Sequence, residues 1–388
     1  MTDARLRRGR GSLVVSFFVQ GVTFALLVTR IPAVQDRYGI SDALLPAFLA
    51  AVPVLAGVGS IAAGRLVRRM APGTLLRWAQ PVVLLALLGV GAGGRLWHAA
   101  LALGVFGLAV GALDAAMNML GVSLQRAYGR SIMLGFHAAY SLGGIAGASL
   151  AWAAVRADVA LGPSYLAVVV VVLPAALLGS RWYVGGQPRT AQEPVGRPVG
   201  VLVPLCLVMT FAYIGDATVS NWSAKYVTDV LHGSEELATV PYNAYMVTTL
   251  LGRAVGDLGV RRFGAVAVVR GGAVLAAAGF GVVAGAPGPW AGVAGFTVLG
   301  LGLSVLVPQT FAAARDDAEV ARLNVFNYAG YLVGSPLVGA LGEAWSHRGA
   351  MLVPLVLVLM TLRYARSFGV EPDRYGGGHE RPRTVDVG

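Results

Sequence analysis

The sequence predicts an all-α membrane protein in which twelve transmembrane helices form two six-helix parallel repeats. Three observations carry this: apolar blocks about twenty residues long, a one-sided distribution of arginine, and a short motif recurring once in each half. Of 388 residues, 56% are hydrophobic and 13% charged, where soluble domains carry about 25% charge. The mean hydropathy is +0.69. Glycine contributes 53 residues, as expected where helices pack in lipid by close backbone approach.

The apolar windows place spans at 13–33, 43–63, 75–93, 97–120, 131–153 and 163–183, then at 200–222, 238–258, 265–286, 290–312, 323–343 and 349–367. The Gly-, Pro-, Gln- and Arg-rich stretch between the two sets reads as a linker. The expected organisation is an N-terminal bundle over 1–183, a cytoplasmic linker over 184–199, and a C-terminal bundle with a cytoplasmic tail over 200–388. The basic N-terminus (Arg5, Arg7, Arg8, Arg10) leads into an apolar run with no small-residue cleavage site, so the first span reads as retained.

Basic residues set the orientation. Alternate segments starting from the N-terminus hold 24 of the 30 Lys and Arg residues; the others are Arg30, Arg37, Arg95, Arg156, Lys225 and Arg348. Both termini are therefore expected in the cytoplasm of a bacterial inner membrane. Span 5 contains Phe136-His137-Ala138-Ala139-Tyr140-Ser141-Leu142-Gly143, and span 11 contains Asn327-Tyr328-Ala329-Gly330-Tyr331-Leu332-Val333-Gly334. A tyrosine three residues before a glycine, at the same depth in the fifth helix of each half, fits parallel repeats about an axis along the membrane normal.

Composition also excludes function classes. The net charge of +11 comes from arginines scattered between apolar blocks rather than one basic face, which argues against nucleic acid. A single cysteine, Cys206, precludes a disulfide framework, and no metal-ligand spacing is present. No Walker-type phosphate loop occurs. No cofactor is expected, and an enzymatic centre would need partners that His137 lacks within the spans. The expected partners are the lipid bilayer, a small-molecule substrate and protons, with the chain acting as a monomer.

Ionisable groups inside spans are costly and tend to line a pathway. Asp114 and Asn118 share one face of span 4. Asp114 lies about 10–15 Å from that helix's cytoplasmic end, and His137 about 9 Å into span 5. Together with Tyr140 they form a candidate proton-coupling or substrate site; a purely structural hydrogen bond is the alternative. Gln20, Asn324, Asn327, Tyr328 and Tyr331 are candidate cavity groups suited to a hydroxylated solute, or else interhelical glue. Arg30 and Asp216, at comparable depth in spans 1 and 7, are candidates for an outer-gate ion pair, unless Arg30 snorkels to water. Pro53 and Pro308 are placed to break or bend spans 2 and 10. Gly107 and Gly111, Gly143 and Gly147, Gly252 and Gly256, and Gly330 and Gly334 mark packing faces.

Arg253-Ala254-Val255-Gly256-Asp257, followed by Arg261-Arg262-Phe263-Gly264, resembles the loop motif of the major facilitator superfamily; the first-half counterpart, Gly64-Arg65-Leu66-Val67-Arg68-Arg69, has arginine where the usual aspartate would fall. Arg30-Ile31-Pro32, Asp114 with Asn118, Phe136-His137, and Asp216 ahead of Asn221-Trp222-Ser223 are similar to a bacterial branch distantly related to the L-fucose:proton symporters. The resemblance implies the major facilitator fold, alternating access, and a cytoplasmic gate at Arg253, Asp257 and Arg262. Val28 stands where the fucose symporters have a first-helix carboxylate, and Phe24 and Ala25 where they have asparagines. The expected function is proton-coupled secondary active transport of a small organic solute. The less polar first helix keeps open proton-driven export of a drug or secondary metabolite; a membrane-embedded enzyme or a non-transporting sensor is a remote alternative.

Overall fold

The computed structural model describes residues 2–41, 44–184 and 199–369. Nearly all of the expected linker and the end of the C-terminal tail lie outside these residues. The described residues are helical and contain no strand. The first half comprises α1 (Thr2–Thr29), α2 (Leu45–Leu66), α3 (Pro72–Ala92), α4 (Leu96–Tyr128), α5 (Met133–Arg156) and α6 (Leu161–Gly179). The second comprises α7 (Val199–Lys225), α8 (Val240–Phe263), α9 (Ala265–Gly285), α10 (Pro289–Leu303, continued by Leu306–Ala312), α11 (Asp317–Ala344) and α12 (Leu352–Tyr364).

Ten of these spans are long and apolar enough to cross a bilayer by composition alone. The remaining two, α8 and α11, carry Arg253, Asp257, Arg261 and Arg262, and Asp317, Glu319 and Arg322. Part of that polarity faces the seams, where Asp257 and Glu319 are buried, while Arg261 and Arg262 lie exposed at the basal end of α8. α4 runs past the expected end of its span, through Gln125 and Arg126 to Tyr128, since a helix need not stop where the hydrocarbon does. Six tryptophans ring the ends of the bundle, between 47% and 70% exposed: Trp78 and Trp182 at the end where α1 begins, Trp97, Trp152, Trp290 and Trp345 at the other. Such belts mark the two membrane interfaces. The α1-start end is called basal below, the opposite end distal.

The halves repeat one packing scheme. α1 packs on α5 as α7 packs on α11; α2 on α4 as α8 on α10; α3 on α4 and α6 as α9 on α10 and α12. The halves meet along two equivalent seams, α2 with α11 and α5 with α8. Small residues at repeat-related positions permit close crossings. A Cβ on Gly143 of α5 would lie 2.1 Å from the Phe18 carbonyl oxygen of α1. On Gly334 of α11 it would lie 3.0 Å from Ile214 Cα of α7. The motif noticed in the sequence is thus a packing device with a tyrosine attached.

α10 is interrupted at Ser304 and Val305. Pro308 explains the break, because it has no N–H to offer the Ser304 carbonyl. Pro53, the other proline expected to disturb a span, lies inside an unbroken α2.

Candidate functional site

Asp114, near the middle of α4, is the centre of the arrangement. Its Oδ1 accepts a hydrogen bond from Gln20 Nε2 on α1, and its Oδ2 accepts one from the Tyr328 hydroxyl on α11. Gln20 belongs to the same half, whereas Tyr328 belongs to the other, so one carboxylate joins both. Asp114, Asp216, Tyr140, Tyr213, Tyr328 and Tyr331 are all only partly buried although they lie within long helices. Because Asp114 is held by interior helices on both sides, that exposure is to a cleft between the halves.

Asp216 on α7 accepts a hydrogen bond from the Tyr245 hydroxyl of α8. Tyr140 and Tyr213 lie within electrostatic reach of both carboxylates and of Arg253. Tyr331 lies near Asp216 and Asn221, and Tyr242 is stacked on Tyr245 with ring centres 6.4 Å apart. The second half therefore presents a wall of tyrosines around Asp216, and the first half answers with Asp114, Gln20 and Tyr140.

Below this chamber, toward the basal end, Asn118 Nδ2 donates to the Asp114 carbonyl at 2.9 Å, and Asn118 Oδ1 meets His137 Nε2 at 3.3 Å. His137 does not touch the Asp114 carboxylate; Asn118 intervenes. The imidazole is buried against Phe17, at 5.4 Å, and Phe311 of the second half, at 6.1 Å between ring centres. It forms part of an aromatic floor.

The seams close beneath that floor. Arg253 Nη1 donates to Ser141 Oγ at 2.6 Å, level with Tyr140, and the other bonds lie nearer the basal end. Asp257 accepts from Ser131 Oγ at 2.5 Å, from Leu134 N at 3.3 Å and from Gly135 N at 2.9 Å. A carboxylate facing the first free amides of α5 satisfies donors that no intrahelical carbonyl can reach. Arg261 donates to the Ser131 carbonyl through Nε and Nη2, at 3.0 and 2.6 Å, and Arg126 reaches the Ala314 carbonyl at 2.7 Å. On the other seam Asn324 Nδ2 donates to Ser60 Oγ at 2.8 Å, while Asn327 Nδ2 donates to Asn324 Oδ1 at 3.2 Å. The cross-half bonds of Asp257, Arg261, Arg126 and Asn324 lie at the basal end, so the chamber is closed there.

Two expected groupings differ in the structure. Arg30 and Asp216 do not pair: Asp216 is bonded to Tyr245, while Arg30 is buried within the first half near Tyr165, with Nε and Nη1 lacking a partner among the described residues. Counting residues along helices sets height but not the direction a side chain faces. Arg262 lies off the seam, exposed over Phe263 at 5.3 Å, and its neighbour Arg261 makes the cross-half contact. Arg253 sits deeper than a loop gate, its Nε buried and without a partner among the described residues. Tyr213, Tyr245 and Ser141 escaped the sequence reading. Their available signal was spacing: Tyr213 and Asp216 share a face of α7, and Tyr242, Tyr245 and Thr249 share one of α8.

No family model matches the chain. An uncharacterised MFS-type transporter of Yersinia pestis is 29% identical over 377 residues, covering 91% of this chain and 94% of that protein. The membrane protein MosC of Rhizobium meliloti is 26% identical over 394 residues, covering 96% and 92%. Among solved structures, the major facilitator transporter FucP in its outward conformation superposes with a TM-score of 0.79 at 17% identity, covering 93% of this chain and 98% of that one. The human organic anion transporter MFSD10 gives 0.70 at 15% identity, with 93% and 98% covered. Twelve helices in two like-packed halves, sealed at one end around a polar chamber, define a multi-pass membrane transporter of the alternating-access class rather than an enzyme. Over nine-tenths of its length the chain is similar to an MFS-type, that is major facilitator superfamily, transporter, and its fold is distantly similar to that of FucP.

Proposed function

We propose that this transporter couples proton movement to the passage of a small hydroxylated organic solute, with Asp114 as the proton-carrying group. The observation that supports it is the placement of the Asp114 carboxylate, which accepts hydrogen bonds from Gln20 of one half and Tyr328 of the other. A bond to an ionised acceptor is roughly twice as strong as a neutral one. Protonation therefore weakens the tie between the halves where substrate sits, and deprotonation restores it. The bundles 1–183 and 200–388 rock as two bodies about that tie, with the basal, cytoplasmic seal opening as the distal mouth closes.

Asp216, Tyr140, Tyr213, Tyr245, Tyr328 and Tyr331 form the substrate wall, offering hydroxyl donors and aromatic faces. His137 and Asn118 support the floor and relay orientation to the main chain at Asp114 rather than hold the proton. Asn324 and Asn327 fasten the neutral seam, and Arg253, Asp257 and Arg261 hold the cytoplasmic gate. FucP and XylE, two fold neighbours, are proton symporters of fucose and xylose; this favours uptake of a polyhydroxylated solute over export.

The test uses proteoliposomes loaded with a pH-reporting dye and challenged with a panel of hexoses, deoxyhexoses and polyols. A transported solute acidifies the wild-type lumen. Asp114→Asn should abolish that acidification while leaving solute counterflow in place. Solute-driven acidification retained by Asp114→Asn would overturn the assignment.

A further inference from the structure

We propose that the basal face of the first half carries a second binding site, separate from the transport chamber, that takes a phosphate-bearing anion. A cavity of about 480 Å³ opens there, lined by Arg7, Arg10, Gly11 and Val14 of α1, by Tyr128 at the end of α4, and by Arg130 in the turn that follows. This volume falls in the range of about 300–1,000 Å³ typical of small-molecule sites.

Three features point to an anion. First, the charged lining consists of three arginines, whose planar forks match phosphate oxygens two at a time. Second, the Tyr128 hydroxyl is buried and has no hydrogen-bond partner among the described residues. An orphaned buried donor costs free energy unless something fills it. Arg130 holds its guanidinium 5.7 Å from the Tyr128 ring centre, which keeps cation and hydroxyl on one wall. Third, a Cβ built on Gly11 meets no atom within 4 Å, so the α1 side of the cavity is unfilled.

Asp257, whose oxygens accept from Ser131, Leu134 and Gly135, borders the site on the seam side. Arg10 adjoins it. A point at the Cβ position of Gly135 would lie 3.8 Å from Arg10 Nη2 and 3.5 Å from Asp257 Oδ2. An anion held by Arg10 would draw the guanidinium away from the seam or fix it beside the seam. Occupancy of this site therefore bears on the gate without contact to the transported solute.

The phosphate has two possible sources, the headgroup of an anionic lipid in the adjoining leaflet or a soluble phosphate compound. The experiment titrates the purified full-length protein in neutral detergent with short-chain phosphatidylglycerol and, separately, with inorganic phosphate, following intrinsic fluorescence or thermophoresis. Wild type should bind at least one probe, and the double substitution Arg10→Gln, Arg130→Gln should weaken that binding at least tenfold. Gly11→Leu, which fills the cavity without touching a charge and favours the helix, should weaken it to a similar extent. Phosphatidylglycerol binding that inorganic phosphate does not compete away assigns the lipid; equal binding of phosphate alone assigns the soluble source. Failure of both probes to bind wild type, or unchanged affinity in both variants, would overturn the proposal.

Discussion

Replacing Asp257 with alanine should open the basal seal. The Asp257 carboxylate accepts from Ser131 Oγ at 2.5 Å and Gly135 N at 2.9 Å, with a longer contact to Leu134 N at 3.3 Å. Hydrogen bonds to a charged group contribute about 1.5–3 kcal/mol each. Counting the two short bonds at the low end, because the freed α5 amides can recover water once the seal parts, gives about 3 kcal/mol. That corresponds to a shift of roughly 100-fold in the ratio of basally closed to basally open molecules. Asp257→Asn keeps an acceptor and loses the charge, so about half the energy and roughly a tenfold shift are expected. Spin labels on cysteines replacing Arg68 and Arg262, exposed residues on opposite halves, report the basal distance in a Cys206→Ser background. Wild type should give one short distance, and Asp257→Ala should add a long one. Identical distance distributions in wild type and Asp257→Ala would refute the reasoning.

Tyr328→Phe removes the hydroxyl that links α11 to Asp114 across the halves, and the same label pair should show a shift of roughly tenfold toward the basally open state, from the loss of about 1.5 kcal/mol. Gly111→Val should prevent normal assembly, because even a Cβ there would sit 1.9 Å from the Ala56 carbonyl oxygen; a cost of at least about 1–3 kcal/mol would appear as aggregation in size-exclusion chromatography. Gly104→Ala is the contrasting control: its Cβ would meet Leu55 Cδ1 at an ordinary 3.8 Å, and removing a helix glycine should raise the melting temperature, by up to about 1 kcal/mol of stability. A cysteine at Arg262 should react with a membrane-impermeant maleimide in inside-out vesicles and not in right-side-out cells, which tests the orientation derived from the arginines.

The fold was legible because lipid leaves so few alternatives. A backbone that must satisfy its own hydrogen bonds turns each apolar block into a helix, and the helices then pack where small residues allow. Individual polar groups such as Asp114, Asn324 and Tyr328 were legible for the same reason, since each interrupts an apolar run. Their partners were harder to read. Depth along a helix follows from a count, but azimuth depends on how neighbouring helices are rotated, and one residue changes the facing direction by about 100° at 3.6 residues per turn. This is why Arg30 and Asp216 matched in height without meeting; Arg262 was expected from the resemblance to a loop motif, and its neighbour Arg261 makes the contact. Tyr213 and Tyr245 were missed because a tyrosine in an apolar helix is equally at home against lipid headgroups or in a core. Only their spacing from Asp216 and Thr249 marked them.

The two seams between the halves occupy equivalent places in the repeat, yet they are built from different chemistry. One uses Ser60 and Asn324 beside Gly64, whose Cβ would touch that of Ala321 at 3.0 Å; the other uses Arg253, Asp257 and Arg261. The first behaves as a dry hinge and the second as an ionic clasp. Dissolved salt screens charges that reach the solvent and leaves neutral contacts nearly untouched. The ionic composition of the surrounding solution is therefore expected to act more strongly on the edge held by Arg261, which reaches the surface, than on the neutral edge.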